Sequence, residues 1–179
     1  MKIILIVATL LIVILAIIAL RSGVFHRVEI TEKEIGPFKI AYEEYTGPYK
    51  ETGKIQDRIY SSLREEDNIE TYRGIGIYYD DPKETPAEEC RSKVGCIIEE
   101  QDYDKIENLK DKYNILNIAR QRMIYSEFPY KSKLSIMTGI FKVYPKIEQY
   151  VQNNDYDYHE SIEIYDVPNK KIIYLMKKS

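Results

Sequence analysis

Near the C-terminal end a glutamate stands between two isoleucines and is followed by a tyrosine, Ile162-Glu163-Ile164-Tyr165. Earlier, Ile75-Gly76-Ile77-Tyr78 repeats the pattern with glycine in place of the glutamate. Apolar alternation reads as a strand, whose successive side chains point to opposite faces. With the isoleucines turned toward helices, Glu163, Tyr165, Gly76 and Tyr78 share the other face. If the two strands are equivalent, Gly76 opens space opposite the carboxylate and tyrosine rings stand around it; Tyr42, on a further strand, is a candidate third ring. A carboxylate among aromatic rings and hydroxyls suits a cationic or hydroxylated ligand. Burial would raise its pKa and make it a base or nucleophile-activator for hydrolysis. A glutamate on the outer surface would do neither and simply face water.

Other chemistries are poorly supplied. Two histidines, His26 and His159, and two cysteines, Cys90 and Cys96, cannot build a histidine cage or a four-cysteine zinc site in one chain, and no metal or other cofactor is expected. His159 is the one histidine beyond the start of the body, where His26 stands, which leaves no convincing Ser-His-Asp set. Gly74-x-Gly76 lies inside a strand without the helix start that a dinucleotide site needs. The charge of −3, from 26 Lys and Arg against 29 Asp and Glu, argues against direct nucleic-acid binding. Trp is absent while Tyr numbers 17, a composition suited to recognition through rings and hydroxyls.

The elements that must position these residues begin after an apolar leader. In residues 3–20 only Thr9 is not apolar, and Lys2 and Arg21 bracket the run. As a helix it would be about 27 Å long, close to the hydrocarbon core of a bilayer. It is longer than the apolar region of a cleaved signal peptide, and Ala19-Leu20-Arg21 is a poor cleavage site. The reading is an uncleaved single-span anchor over residues 1–23 and a body over 24–179. Flanking charge barely decides orientation. The absence of any Asn-x-Ser/Thr acceptor and an isolated cysteine pair favour a cytosolic body with two reduced thiols, although Cys90 and Cys96 stand close enough in sequence to pair if geometry allows.

The body alternates strands and helices, twice over. A lead-in strand is expected around Val28-Glu29-Ile30, then strands over 38–45, 73–79 and 91–98, with a helix from the Thr46-Gly47-Pro48 break to about Arg64. Its stripe is Ile55, Ile59, Tyr60 and Leu63, with Thr46 as a possible cap. The second round has a strand over 118–128, a helix from about Lys133 with Leu134, Met137, Ile140, Phe141 and Tyr144 on its apolar side, and strands over 160–165 and 171–176. Pro145 should kink or restart that helix. Pro129-Tyr130-Lys131 repeats Pro48-Tyr49-Lys50 at an offset of 81, and Glu163 follows Gly76 at an offset of 87. Two strand-helix-strand-strand repeats, roughly 28–98 and 114–179, would pack about a pseudo-two-fold axis, because one alone cannot cover its sheet. The fold class is α+β, and the groove between the halves is the natural ligand site.

In this order the motifs Gly47-Pro48-Tyr49, Gly76-Ile77-Tyr78-Tyr79-Asp80-Asp81-Pro82, Cys90-Arg91-Ser92-Lys93-Val94-Gly95-Cys96, Glu127-Phe128-Pro129-Tyr130 and Ile162-Glu163-Ile164-Tyr165 resemble the GyrI-like small-molecule-binding domain, above all its membrane-anchored members, over essentially the whole chain. The resemblance implies a short lumenal N-terminus, an anchor in the endoplasmic reticulum and a cytosolic GyrI-like domain. It implies work as a receptor for autophagy of the endoplasmic reticulum and as an adaptor for an unfoldase. It places the glutamate of the closing strand, here Glu163, centrally in the ligand cleft, and some relatives use such a glutamate to hydrolyse small electrophiles.

Anchored members of this kind carry a long disordered tail with the autophagy-adaptor motif, whereas this sequence ends at Ser179. The expectation is that this weakens the receptor role. A substitute motif would be Tyr103 and Ile106 within 99–106, acids followed by an aromatic and an aliphatic, a pattern suited to β-strand addition. Three functions are thus set against one another: a tethered binding module, a hydrolase built on Glu163, and a quality-control adaptor.

Overall fold

The computed structural model describes residues 2–157 and 160–177; His159 lies outside them. The leader is a single helix, α1 (Lys2–Ser22), with its apolar side chains exposed all round and long enough to cross a membrane. Inside it the Thr9 hydroxyl donates to the Leu5 carbonyl at 2.9 Å, so the one polar side chain of the run is satisfied within the helix.

The body follows as β1 (Thr31–Ile35), β2 (Phe38–Thr46), α2 (Thr52–Glu65), β3 (Arg73–Tyr78), β4 (Arg91–Ile98), a short α3 (Ile106–Leu109), β5 (Asn114–Ile118), β6 (Gln121–Pro129), α4 (Lys133–Asn153), β7 (Ser161–Asp166) and β8 (Lys171–Lys177). The strands form one antiparallel sheet in the order β1-β6-β8-β7-β3-β4-β2-β5. That order is a palindrome of the two repeats about the β7–β3 seam: β7 matches β3, β8 matches β4, and β6 matches β2. The outer strands are exchanged, since β1 pairs with β6 and β5 with β2.

Several sequence expectations shift. The lead-in strand starts at Thr31 rather than Val28, the expected strand over 118–128 is β6 and starts at Gln121, and a further strand, β5, precedes it. Thr46 ends β2 instead of capping a helix; a 3-10 turn over Tyr49–Glu51 intervenes. Pro145 does not break α4, which runs on as one helix. Proline removes one donor, and its surroundings here are solvent, where a freed carbonyl is hydrated.

Both faces of the sheet are buried, which corrects the largest expectation. Ile75, Ile77, Ile162 and Ile164 do not face the helices. They pack with Ile40, Ile97, Ile118, Met123 and Leu175, residues of both halves and of no helix. The sheet curls, and its concave side supplies its own core. Alternation reveals a dry face of a strand but not which face it is. On the convex side α2 covers one half, with Ile59 and Leu63 against Ala41, Cys96 and Ile98. α4 covers the other, with Val143, Ile147 and Val151 against Phe128, Ile172 and Tyr174. Gly139 lets α4 sit close, because a Cβ there would run into the Tyr174 hydroxyl.

Candidate functional site

Over the convex face of β3 and β7 the helices α2 and α4 stand apart, each reaching the seam with single side chains such as Thr52 and Tyr144. The result is a cleft of about 1830 Å³ lined from both halves. Its floor is the seam itself. Gly76 pairs with Glu163, Tyr78 with Ser161, and Gly74 with Tyr165. Alternation therefore brings Glu163, Tyr165, Gly76 and Tyr78 to the helix-bearing side, and the groove is on that side rather than opposite it.

Glu163 is 4% exposed. Its Oε1 accepts the Tyr144 hydroxyl at 2.7 Å and its Oε2 accepts the Tyr165 hydroxyl at 2.6 Å. No cationic side chain pairs with it among the described residues. Burial raises its pKa, while the two phenol donors pull the other way. The phenols respond in turn: burial, then the Glu163 charge, pushes Tyr144, Tyr165 and Tyr78 well up, so all three remain neutral donors.

Gly76 is needed for close approach. A Cβ there would lie 2.5 Å from the hydroxyl of Tyr78, whose ring folds back over it. That hydroxyl lies 3.5 Å from Thr52 Oγ1 at the start of α2, and the ring meets Tyr49 edge-on at 4.8 Å. Tyr49, from the Gly-Pro-Tyr motif, also ties down the loop after β3: its hydroxyl donates to the Asp80 carbonyl at 3.0 Å and accepts from the Asp80 N–H at 3.1 Å. Arg91 then grips the Asp80 carboxylate through Nε and Nη2, at 3.0 and 2.8 Å. The motifs around residues 48, 80 and 91 thus build one wall.

Three expected residues lie elsewhere. Tyr42 belongs to the concave cluster with Ile40 and Ile75, on the opposite face from Glu163, and does not line the cleft. Its side chain follows the alternation of Phe38 and Ile40, which fixes it on the inner side. Ile106 is packed at 7% exposure with Ile59 and Leu109, and Tyr103 is half-buried under the Lys39 ammonium. The segment is a 3-10 turn running into α3. It is not an extended strand offered to a partner, because its apolar side chains complete the core under α2.

Sequence reasoning missed the opposite wall. Met137, Ile140, Phe141 and Tyr144 line the cleft, while α4 turns Ser135, Gly139, Val143, Ile147 and Val151 to the sheet. The signal was present as the small residues Ser135 and Gly139 one helical turn apart, which mark close packing. The larger apolar side chains drew the reading instead. The expected Cys90–Cys96 alternatives resolve to two free, buried thiols, and burial pushes Cys96 up to about 12. Among the described residues no group of His, Cys, Asp and Glu is arranged to hold a metal.

Comparison with known proteins agrees with this architecture. Human testis-expressed protein 264 is 28% identical over 152 residues, covering 80% of this chain and 47% of its own length. The mouse homolog is 28% identical over 132 residues, covering 70% and 41%. The chain thus spans about half the length of these curated relatives. Among solved structures, the EcmrR C-terminal domain superposes with a TM-score of 0.59 at 10% identity, covering 85% of this chain and 98% of that one. SAV2435 bound to tetraphenylphosphonium superposes at 0.55 and 9% identity, covering 84% and 94%. At such identities the likeness is one of fold. The profile of the GyrI-like small molecule binding domain matches residues 28–173, nearly the whole body, and the chain belongs to that family.

Proposed function

We propose that residues 24–179 are a small-molecule-binding module tethered by residues 1–23 to a membrane, and that its ligand is an amphipathic cation with an aromatic or apolar body. The observation that carries this reading is Glu163: a carboxylate 4% exposed, held by two phenols and facing a tyrosine-lined cleft, with no cationic side chain paired to it among the described residues. A ligand cation would supply the missing charge, and tyrosine faces attract cations as well as apolar surface. The binding of tetraphenylphosphonium by SAV2435, a fold neighbour, supports the choice of ligand class. The endoplasmic-reticulum membrane and a body facing the cytosol, implied by the resemblance to membrane-anchored relatives, belong to the proposal. Two free buried thiols suit a reducing compartment. The segment with Tyr103 and Ile106 does not support an autophagy-adaptor role, since Ile106 is part of the core.

One observation favours a hydrolytic second reading: burial raises the Glu163 pKa toward the range where a carboxylate serves as base. Against it, both carboxylate oxygens are already engaged by phenols. Calorimetry on the full chain in detergent tests the binding reading, using tetraphenylphosphonium against neutral triphenylphosphine oxide. The binding reading expects preference for the cation, lost at least tenfold in Glu163→Gln, with the ligand recovered unchanged. Equal affinity for both compounds, or an unchanged Glu163→Gln, would rule out the cation reading.

A further inference from the structure

The end of α1 is not loosely joined to the body. The Arg21 carbonyl accepts the hydroxyls of Ser135 and Ser132 at 3.2 and 3.4 Å, and the Leu20 carbonyl accepts Lys131 Nζ at 3.4 Å. The last carbonyls of a helix need such donors. The linker then runs along α4. Lys142 Nζ donates to the carbonyls of Val24 and His26, the latter at 2.7 Å, and Lys146 Nζ donates to Val28 at 3.0 Å. Gly23, at φ +79°, lies against the Phe128 ring and Pro129. Tyr130 N–H donates to the Lys170 carbonyl at 2.8 Å, which brings the turn between β7 and β8 to the same place. The exit of the apolar helix is therefore level with the first turn of α4.

That corner has the surface of a membrane-contacting face. Leu134, Met137 and Val167 are 47, 49 and 57% exposed. They lie beside exposed Lys131, Lys133 and Lys170. Residues 20–28 and 128–147, which meet there, contain no Asp or Glu although the chain as a whole is acidic. Apolar side chains among lysines suit insertion to headgroup depth in an anionic bilayer. Met137 and Val167 also line the cleft, together with Tyr130 and Lys133. Continuity of this face with the span decides its occupant.

We propose that the corner formed by Leu134, Met137 and Val167, the last two of which line one end of the cleft, docks on the bilayer that holds α1, so that the cleft opens onto lipid and takes its ligand from the membrane phase. This rests on the reading of α1 as a membrane span. Because native Trp is absent, single substitutions act as local reporters. The full chain is reconstituted in vesicles of phosphatidylcholine and phosphatidylglycerol with brominated acyl chains, carrying Leu11→Trp in the span, Met137→Trp or Leu134→Trp at the corner, or Lys110→Trp on α3's far end. Circular dichroism and thermal unfolding matched to the native chain verify folding. The expected result is strong quenching of Leu11→Trp, at least twofold quenching of one or both corner reporters, and none of Lys110→Trp. Quenched Leu11→Trp with both corner reporters behaving like Lys110→Trp overturns the docking while leaving the span intact. An unquenched Leu11→Trp overturns the span, and the docking with it.

Discussion

Gly76 and Glu163 face each other across the β3–β7 pair, the seam on which the two halves of the molecule meet. The pseudo-symmetry is broken at this point. One half contributes a carboxylate, and the other contributes the absence of a side chain, a space that the Tyr78 phenol folds into. A symmetric pair of glutamates would put two buried charges side by side; the asymmetric pair leaves a single charge set among neutral phenols.

Gly76→Ala tests that arrangement. Its methyl would meet the Tyr78 hydroxyl at 2.5 Å, and Tyr78 is itself packed under Thr52 and against Tyr49. Overpacking of this kind costs about 1–3 kcal/mol. Denaturant unfolding should show a loss in that range, together with weaker binding of tetraphenylphosphonium. Native stability and affinity in Gly76→Ala would mean that Tyr78 swings away freely and shapes nothing.

The palindromic fold was legible because each repeat carries its own strand-end prolines and isoleucine pattern. Which face of the seam carries the helices was not legible. An isoleucine at every second position is equally at home under a helix or inside a curled sheet, and only the packing of Ile35 from β1 and Leu116 and Ile118 from β5 into one cluster with Ile40 and Met123 decides between them. Glu163 and Tyr78 share the cleft-lining face despite the reversal because alternation fixes which residues share a face. Tyr42 was misplaced because it lies two strands from the seam, in the register of the inner face. Tyr144 was hidden in a helix whose small residues, not its large ones, mark the buried side.

Glu163 should make stability fall with rising pH. Its folded pKa is raised above the ordinary carboxylate value of 4.5, chiefly by burial. Between the unfolded and folded pKa values the native state binds more protons, so stability declines as pH climbs through that window and levels off above it. Glu163→Gln abolishes this component. Its thermal midpoint should exceed the native one near neutral pH and lose the difference in acid. A variant less stable than the native chain at every pH would refute burial as the source of the shift.

Ile106→Ala should cost about 2–5 kcal/mol, as large-to-small changes in a core do, because the side chain is 7% exposed against Ile59 and Leu109. Tyr103→Ala, at a half-buried position, should cost less. Thermal unfolding of both distinguishes a core role from a docking role. Loss of a partner in Ile106→Ala with an unchanged melting temperature would contradict the structure.

Lys83 reaches over the cleft from the loop after β3 and pairs with Glu148 of α4 at 2.9 Å. Both side chains are substantially exposed, so the pair contributes about 0–1 kcal/mol at most. Its effect should instead be kinetic. Lys83→Ala is expected to leave the melting temperature nearly unchanged and to raise ligand association and dissociation rates together, with the difference from native shrinking at high salt. Stopped-flow binding reads this directly; identical rates at low and high salt would deny the pair a gating role.

The two phenols that hold Glu163 set the pH at which the cleft accepts a cation. Each donates to one carboxylate oxygen, Tyr144 at 2.7 Å and Tyr165 at 2.6 Å, and each lowers a pKa that burial raises. A cation prefers the ionised carboxylate, so affinity should rise with pH through the folded pKa of Glu163 and then flatten. Tyr144→Phe or Tyr165→Phe removes one stabiliser of the charged form. The midpoint must then move to higher pH, and further in the double variant, while affinity on the upper plateau changes little. The Tyr144 hydroxyl also lies 3.3 Å from Ser161 Oγ, so Tyr144→Phe frees a second group and should cost more stability than Tyr165→Phe. Titration of tetraphenylphosphonium affinity against pH separates this from general disruption: a damaged cleft loses affinity at every pH, whereas a retuned carboxylate shifts only the midpoint. Midpoints that stay in place in both single variants and in the double would show that the phenols do not control the charge of Glu163.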